Sequence, residues 1–390
     1  MALIRKTCEA GDLRYGLFWA AMCYLYHFLC FIFTKLRKTF FIGSYFNTVT
    51  LYKLKSMRLT IKTLAIIFPL LVTAPGCSAQ TSFGPQTLKL QKEIPLQGVK
   101  GRIDHIDVNV KAQIAYVAAL GNNSLEVVDL KKGSVLHSIK GLDEPQGVVY
   151  IPKHNELLVA NGGTGECIFY DADTFQKIAA IKYNDDADDA RYDEISDRVY
   201  VGYGSGGIGI INAATHKQVA DIKLPVHPES FQLDAKEGKI WVNLPNAGMI
   251  GVVDIKQGKL IDKWKRLLPR YNFPMAYDEA ANRLFVGYRF PATLKVLDSR
   301  TGKEIFSSSM VGDVDDFYWD AVNKEILISG GGGDINIFKQ TENRSYKLVS
   351  DIRTPKGART SFFSPQLKIF ILATREEGDK PASLRIYRID

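Results

Sequence analysis

Four carboxylates stand at corresponding points along this 390-residue chain, namely Asp104, Asp188, Glu229 and Asp315. Carboxylates that are held close together repel one another, so they must be protonated, paired with cations or bound to a metal. Hard cations such as Ca²⁺ or Mg²⁺ accept clusters of such oxygen ligands. The four acids are therefore candidate ligands of a divalent cation. In the alternative interpretation, several of them point into solvent and Arg359 neutralises the rest.

Two histidines beside these acids could move protons. His227-Pro228-Glu229 places an imidazole and a carboxylate two residues apart, and His105 directly follows Asp104. Such a pair can act as a base together with the group that orients it. Alternatively, Pro228 fixes a turn, and His105 lies in the central channel of the fold predicted below, where the neighbouring carboxylate is its hydrogen-bond partner. His105 and His227 are the catalytic candidates, although no nucleophile is evident near either of them in the sequence.

The positions of these residues become comparable when the chain is aligned on a repeated apolar triplet. One position, called here the channel-start position, then holds Asp104, Gln146, Asp188, Glu229, Phe273, Asp315 and Arg359. Adding neighbouring polar residues gives the candidate ligand-binding set Asp104, His105, Gln146, Asp188, Asp189, His227, Glu229, Asn272, Arg289, Asp315, Asp316 and Arg359. These residues come from different copies of a repeat, so only the fold can bring them together.

The repeated triplet predicts that fold. Its seven copies are Tyr116-Val117-Ala118, Leu158-Val159-Ala160, Tyr200-Val201-Gly202, Trp241-Val242-Asn243, Phe285-Val286-Gly287, Leu327-Ile328-Ser329 and Phe370-Ile371-Leu372. The copies follow one another at nearly equal spacing along the chain, which indicates one supersecondary unit used seven times. Each unit also contains an apolar run before the triplet and a strand pattern after it, and six units end in a further alternating segment. Four short strands per unit are typical of a β-propeller blade.

The seventh unit lacks its outer strand, because the chain ends at Asp390 soon after Ile386. An unpaired strand edge invites aggregation. The segment from Leu88 to Ile94 alternates apolar and polar residues and precedes the first inner strand, so it can supply the missing strand. The sequence therefore predicts an all-β fold, a single seven-bladed β-propeller over residues 84–390, closed by its N-terminal strand.

Residues 57–79 have the layout of a secretory signal peptide, with Met57, two basic residues, an apolar run and small residues at the end. Two cleavages compete, one after Ala79 and one by lipoprotein processing at Cys77. Residues 1–56 are either a mis-called extension or contain a membrane segment at residues 17–33. In the second case, the basic stretch 35–62 would lie in the cytoplasm. Both interpretations predict an exported periplasmic or cell-envelope protein, lipid-anchored if Cys77 is processed.

The charge distribution argues against nucleic-acid binding. The net charge is +8, but the first 79 residues hold ten of the 50 Lys and Arg and only two of the 42 Asp and Glu. Residues 80–390 are therefore neutral, with 40 charges of each sign, whereas a phosphate-binding surface needs concentrated positive charge. We expect no contact with nucleic acid, contact with a membrane only through an N-terminal anchor, and a monomer.

Several motifs resemble one family of known proteins. Besides the triplets, they are Gly101-Arg102-Ile103-Asp104-His105, Leu120-Gly121-Asn122-Asn123-Ser124, Glu144-Pro145-Gln146-Gly147, His227-Pro228-Glu229-Ser230-Phe231 and Gly357-Ala358-Arg359-Thr360-Ser361. Together they resemble the YVTN/YncE-like seven-bladed propellers of bacterial envelopes, and among these an exported subgroup without a settled activity. The resemblance covers residues 88–390 and implies the same fold, but it implies no particular chemistry.

Two functions follow as hypotheses. The first is a non-enzymatic binding module that takes a small polar ligand, a metal or an envelope protein at the channel mouth. The second is a hydrolase or lyase, such as a propeller lactonase, in which a divalent cation polarises a carbonyl and His105 or His227 moves protons. Convergence of the four acids on one point, with a histidine beside an open position, would favour the enzyme.

Overall fold

The structure, a computed structural model, describes residues 88–389. Within these residues, the chain forms 28 strands in seven four-stranded antiparallel sheets, which confirms the seven-bladed β-propeller. The segments 1–56 and 57–79, whose roles were predicted above, lie outside the described residues. No helix within residues 88–389 is both long and apolar enough to cross a membrane.

Each blade runs from an inner strand at the channel to an outer strand at the rim. Blades 1 to 3 consist of β2 (Ile106–Asn109), β3 (Ile114–Ala119), β4 (Ser124–Asp129) and β5 (Ser134–Lys140); β6 (Pro145–Ile151), β7 (Glu156–Asn161), β8 (Glu166–Asp171) and β9 (Lys177–Lys182); and β10 (Ala187–Asp193), β11 (Arg198–Tyr203), β12 (Gly207–Asn212) and β13 (Lys217–Lys223). Blades 4 and 5 consist of β14 (Phe231–Asp234), β15 (Lys239–Leu244), β16 (Met249–Asp254) and β17 (Lys259–Lys265); and β18 (Arg270–Asp278), β19 (Arg283–Phe290), β20 (Ala292–Asp298) and β21 (Glu304–Ser309). Blades 6 and 7 consist of β22 (Val314–Asp320), β23 (Glu325–Gly330), β24 (Asp334–Gln340) and β25 (Tyr346–Arg353); and β26 (Ser361–Ser364), β27 (Ile369–Thr374), β28 (Ala382–Ile389) and β1 (Leu88–Leu96).

The N-terminal strand closes the ring as predicted, because β1 pairs antiparallel with β28 from Leu88 opposite Ile389 to Leu96 opposite Ala382. The simple alternation predicted for β1 is wrong at one point. The register shifts between Leu90 and Lys92, and Leu90, directly before the shift, is 53% exposed. A bulge of this kind adds one residue to one strand, so it reverses which side chains face the core. Leu88, Ile94 and Leu96 are buried on either side of it.

The middle strands are apolar on both faces because neighbouring blades cover both of them. The second-strand triplets are buried throughout, as in Tyr116, Val117 and Ala118. A short continuous apolar run of this kind is the pattern of a strand that is buried on both sides. The core therefore lies between blades rather than at the channel. Outer strands such as β13 expose most of their side chains to solvent.

The hairpin between the first and second strand of every blade places one residue in the left-handed region. The residues are Gln113, Asn155, Asp197, Gly238, Asn282, Lys324 and Lys368. In blade 3 this residue also holds two blades together. Asp197 accepts hydrogen bonds from Lys153 Nζ at 3.0 Å and Tyr192 Oη at 2.9 Å, and its Oδ1 lies 2.9 Å from His154 Nε2. Lys153 and His154 belong to blade 2, so the carboxylate joins blades 2 and 3.

We expect Asp197→Asn to lower the free energy of unfolding at pH 7 by about 1.5–3 kcal/mol, the usual range for hydrogen bonds to a charged group. Burial alone would raise the pKa of Asp197, but hydrogen bonds from Lys153, His154 and Tyr192 lower it. A lowered pKa stabilises the fold at every pH above the pKa of the unfolded chain, which is near 4. This stabilisation is lost as the pH falls through the pKa of Asp197 in the folded protein. Urea denaturation at pH 7 and at a pH well below 4 should therefore show a difference from wild type that shrinks in acid.

The matched control for this substitution is Glu194→Gln, which removes an exposed charge from the same hairpin. It should change the unfolding free energy by less than about 0.5 kcal/mol. An equal cost for the two substitutions would mean that hairpin charge, rather than the contact between blades, stabilises this region.

Candidate functional site at the channel mouth

The backbone just before each inner strand is fixed by the loop after the second strand. In four blades, the carbonyl two residues before the channel-start position accepts a hydrogen bond from a glycine N–H in that loop. The pairs are Arg102 with Gly121, Glu144 with Gly162, Asp186 with Gly204, and Asp313 with Gly331, at 2.8 to 2.9 Å. A Cβ on Gly121 would come within 2.6 Å of the Arg102 nitrogen. A side chain at this position would therefore collide with the backbone of Arg102.

A cavity of about 370 Å³ opens where these side chains meet. Six of the seven channel-start residues line it, namely Gln146, Asp188, Glu229, Phe273, Asp315 and Arg359. Arg102, Asp185, Asp186, His227 and Arg289 complete its polar wall. The alignment of repeats thus identifies residues that the fold brings together from different blades.

One side of the cavity, called here the acidic side, carries a group with the geometry of a metal site. Asp188, His227 and Glu229 each offer one ligand atom, and these atoms all lie within 4.8 Å of one another. His227 Nε2 is 3.6 Å from Asp188 Oδ2. That separation is too long for a strong hydrogen bond, and it leaves room for an ion between the two atoms.

The second ring nitrogen of His227 is already occupied. Nδ1 lies 2.7 Å from the carbonyl oxygen of Gly204, to which it can only donate. Metal-binding histidines almost always donate their other N–H to a carbonyl or carboxylate, which orients the ring and directs the free nitrogen at the ion. Gly204 therefore directs Nε2 toward Asp188.

The charges on the acidic side are strongly coupled. Burial raises the pKa of Glu229 to about 8, and the nearby charge of Asp188 acts in the same direction. For Asp188, burial is outweighed by His227, 3.6 Å away, and by the charges of His105 and Arg102, so its pKa is lowered. Burial lowers the pKa of His227, but Asp188 more than compensates and raises it to about 9. The group therefore carries a proton on His227 that a metal ion would have to displace.

The opposite side, called here the arginine side, is held together by ion pairs. Asp315 accepts a hydrogen bond from Arg289 Nη2 and lies 2.7 Å from Arg359 Nε. Asp313 Oδ1 accepts a second bond from Arg359, at 2.8 Å. Arg289 also stacks on the ring of Phe273, with 3.5 Å between the guanidinium carbon and the ring centre. Arg102 pairs with buried Asp104 at 2.6 Å.

These ion pairs divide the four predicted metal ligands into two groups. Asp188 and Glu229 share a site with His227. Asp104 and Asp315 pair with arginines from blades 1, 5 and 7. Burial raises the pKa of Asp104 to about 7, against the opposing influence of His105 and Arg102. Arg375, behind this wall, has a lowered pKa because of burial and the adjacent charges of Arg359 and Arg102.

Below the mouth, the channel widens into a second cavity of about 500 Å³, lined in part by His105, Asp316 and Arg191. His105 Nδ1 lies 3.4 Å from Asp316 Oδ1, and Asp189 pairs with Arg191. Burial tends to lower the pKa of His105, but Asp316 outweighs it and the pKa is raised well above its usual value. A protonated imidazole cannot accept a proton, so this environment favours a charge partner over a general base.

Two further candidates have structural partners. Asn272 is buried away from both cavities, where its amide donates to Asn243 Oδ1 at 2.7 Å and to the Met249 carbonyl at 3.0 Å. The prediction that Asn272 reaches the channel is wrong, because Asn272 lies one residue before the channel-start residue Phe273, at a position whose counterparts Ala187 and Val314 are also buried. Gln146 does line the mouth and donates to Asp186 Oδ1 at 2.7 Å.

The sequence analysis missed Arg102 and Asp186 as site residues. Both lie two residues before a channel-start residue, as His227 does, and this fixed offset is the signal that could have identified them. The corresponding residues of other blades include Glu144, Tyr271 and Asp313, and these three and Asp186 adopt a positive φ. Of these four left-handed residues, Asp186 lines the mouth cavity.

Comparison with known proteins supports the fold assignment but shows no function. The chain matches no protein-family model and no curated protein. Among solved structures, it is similar to a chain of the mitotic checkpoint complex, with a TM-score of 0.66, 15% identity, and coverage of 82% of this chain and 97% of that one. It is also similar to Kuenenia stuttgartiensis hydrazine synthase, with a TM-score of 0.64, 16% identity, and coverage of 76% of this chain and 99% of that one. For the WD40 repeats of RRP9 the TM-score is 0.65 and the identity 10%, with coverage of 78% of this chain and 100% of that one. At these identities the likeness shows a β-propeller, and the YVTN/YncE-like family stays a prediction.

Proposed function

We propose that the protein is an exported binding module whose channel mouth takes a small anionic ligand together with a divalent cation. The observation that carries the proposal is the group formed by Asp188, His227 and Glu229, with ligand atoms within 4.8 Å of one another. Export rests on the signal-like residues 57–79 and on the resemblance to YVTN/YncE-like envelope propellers.

The donor set favours one class of metal. Imidazole nitrogen with two carboxylates suits Zn²⁺, Mn²⁺ or a similar transition ion, whereas Ca²⁺ and Mg²⁺ prefer a shell made entirely of oxygen. The proposal therefore replaces the Ca²⁺ or Mg²⁺ expected from the acids alone. Three protein ligands leave coordination positions open toward the cavity.

The arginine side supplies the complementary half of the site. Arg102, Arg289 and Arg359 line the cavity opposite the acidic side. Guanidinium groups bind carboxylate and phosphate groups with two parallel hydrogen bonds. A small carboxylate- or phosphate-bearing ligand could therefore contact the arginines and complete the coordination of the ion.

The test is thermal unfolding and calorimetric titration with Zn²⁺, Mn²⁺, Ca²⁺ and Mg²⁺. We expect a transition ion to stabilise the protein by about 2.7 kcal/mol when its free concentration is one hundred times Kd. Asp188→Asn and Glu229→Gln should abolish that response. Asp185→Asn, which removes an acid from the same cavity wall but not from the group of three, is the matched control and should retain it.

Two results would contradict the proposal: no response of the wild type to any of the four ions, or equal loss of the response in Asp185→Asn. The first result would mean that the site binds none of these cations. The second would mean that the cation binds through the general negative charge of the acidic wall and not through the group of three.

A metal-assisted hydrolase is the second candidate, favoured by the open coordination positions in a cavity that also contains arginines. A bound cation there would polarise a carbonyl or activate water. The discriminating measurement is turnover of a panel of lactones and esters by metal-loaded protein, with Glu229→Gln as the control. Metal binding without turnover would support the binding module and exclude hydrolysis of these substrates.

A further inference from the structure

A group of apolar side chains stands exposed on the mouth face of blade 5. Leu267 is 89% exposed, Leu268 61% and Phe290 64%, and Tyr271 and Pro291 are exposed beside them. Single exposed apolar residues are ordinary on protein surfaces, but a contiguous group marks an interaction site. We call these five residues the blade 5 rim.

The rim exists because blade 5 is built differently from the others. Its inner strand β18 begins at Arg270, three residues before the channel-start residue Phe273. Its second strand β19 continues to Phe290, so that Arg270 pairs with Phe290 at the mouth. The inner strands of the other blades begin at most one residue before their channel-start residue. The pair of strands in blade 5 therefore carries Tyr271 and Phe290 further along the mouth face.

Cations surround the rim. Lys263 and Lys265 lie toward the mouth end of β17, within four residues of Leu267, and Arg270 stands two residues after Leu268. Among residues 88–389, none of these three side chains forms an ion pair, whereas Arg266 is bound to Gly302 and lies 3.6 Å from Glu304. Arg270 instead lies over the ring of Tyr271, 5.9 Å from its centre. The surface thus combines exposed aliphatic and aromatic groups with positive charges that have no acidic partner.

We infer that the blade 5 rim docks on an anionic phospholipid surface. Leucine and aromatic side chains enter the boundary between headgroups and acyl chains, and neighbouring lysine and arginine side chains bind the anionic headgroups. A second copy of this chain fits the rim poorly, because a two-fold contact would bring the cations of one copy against those of the other. The inference is independent of the proposed metal site.

This docking also fixes the orientation of the molecule. The rim lies on the same face as the mouth cavity, and Arg289 of the cavity wall directly precedes Phe290. When the rim contacts lipid, the cavity opens beside the bilayer surface. Its ligands would then be drawn from the interfacial region.

The test uses a tryptophan reporter in the full chain. Phe290→Trp is mixed with vesicles that contain brominated phosphatidylglycerol and with vesicles of brominated phosphatidylcholine alone. We expect fluorescence of Trp at position 290 to be quenched by the anionic vesicles at low salt and much less by the neutral ones. Val322→Trp is the matched control, because Val322 is 81% exposed in the turn at the opposite end of an inner strand. Its added fluorescence should not be quenched by either vesicle.

A triple substitution of Lys263, Lys265 and Arg270 by Gln in the Phe290→Trp background should bring the quenching down to the level in neutral vesicles. Each basic side chain strengthens binding to an anionic surface about five-fold. Removal of all three should therefore cause a large loss of binding to the anionic vesicles. Two results would overturn the inference: equal quenching at positions 290 and 322, or quenching at 290 that is the same in neutral and anionic vesicles. Concentration-dependent self-association without quenching would assign the rim to a protein contact instead.

Discussion

Deletion of β1, residues 88–96, is expected to prevent the propeller from folding. The deletion leaves β28 with a free edge and removes three side chains that are almost completely buried, Leu88, Ile94 and Leu96. Each is worth about 1.5–3 kcal/mol of burial. The total, about 5–9 kcal/mol, is comparable with the whole stability of a typical domain. Circular dichroism and gel filtration should show unfolded or aggregated protein.

Point substitutions separate strand closure from general damage. Ile94→Ala should cost about 2–5 kcal/mol, as for other large-to-small changes in a core. Gln91→Ala, at an exposed position on the same strand, should be nearly neutral. A folded, monomeric deletion variant would contradict the closure argument and would mean that six complete blades and an open seventh are sufficient.

The fold was predictable because its unit is local and repeated. Seven triplets predict seven blades, and the segment that precedes the first blade supplies the outer strand of the last. Details within a strand were less predictable. Alternation in β1 suggests that Leu88, Ile94 and Leu96 share one face, but the bulge after Leu90 places Leu88 in one apolar cluster and Ile94 and Leu96 in another. Bulges depend on how strands twist against their neighbours, which a period-two pattern does not contain.

The site was predictable in outline for the same reason. Alignment on the repeat gives the channel-start residues, and six of them line the mouth cavity. The division of its charges was not predictable, because it depends on the reach of arginines from other blades. Arg289 and Arg359 are distant in sequence, yet both bind Asp315, while no arginine pairs with Glu229 among residues 88–389. Nor does any sequence pattern reveal that Gly204 orients His227.

The division of charges leads to a second large effect, at Asp315. We expect Asp315→Asn to lower the free energy of unfolding by about 3–5 kcal/mol, the usual cost of removing one partner from a buried ion pair. Asp315 is only 9% exposed and contacts Arg289 and Arg359. Without its charge, these two guanidinium groups would repel each other in a partly buried wall. Chemical denaturation of the purified variant measures the loss.

Asp313→Asn provides a closely matched control. Asp313 approaches the same two arginines, at 2.8 Å from Arg359 and 3.8 Å from Arg289, but its side chain is 45% exposed. Exposed ion pairs contribute about 0–1 kcal/mol. Asparagine also tolerates the left-handed backbone at this position, where φ is 54°. The two substitutions change the same charge beside the same partners, so a difference between them measures burial.

The same pair of variants tests the assignment of the metal ligands. If Asp315 belongs to the arginine side, both variants should keep the stabilisation by a transition ion that Glu229→Gln loses. Loss of the ion response in Asp315→Asn alone would return Asp315 to the metal site and favour the original set of four acids. A negligible stability cost at Asp315 would mean that Asp313 can neutralise both arginines by itself. Measured together, stability and ion response therefore determine which carboxylates hold the wall and which hold the ion.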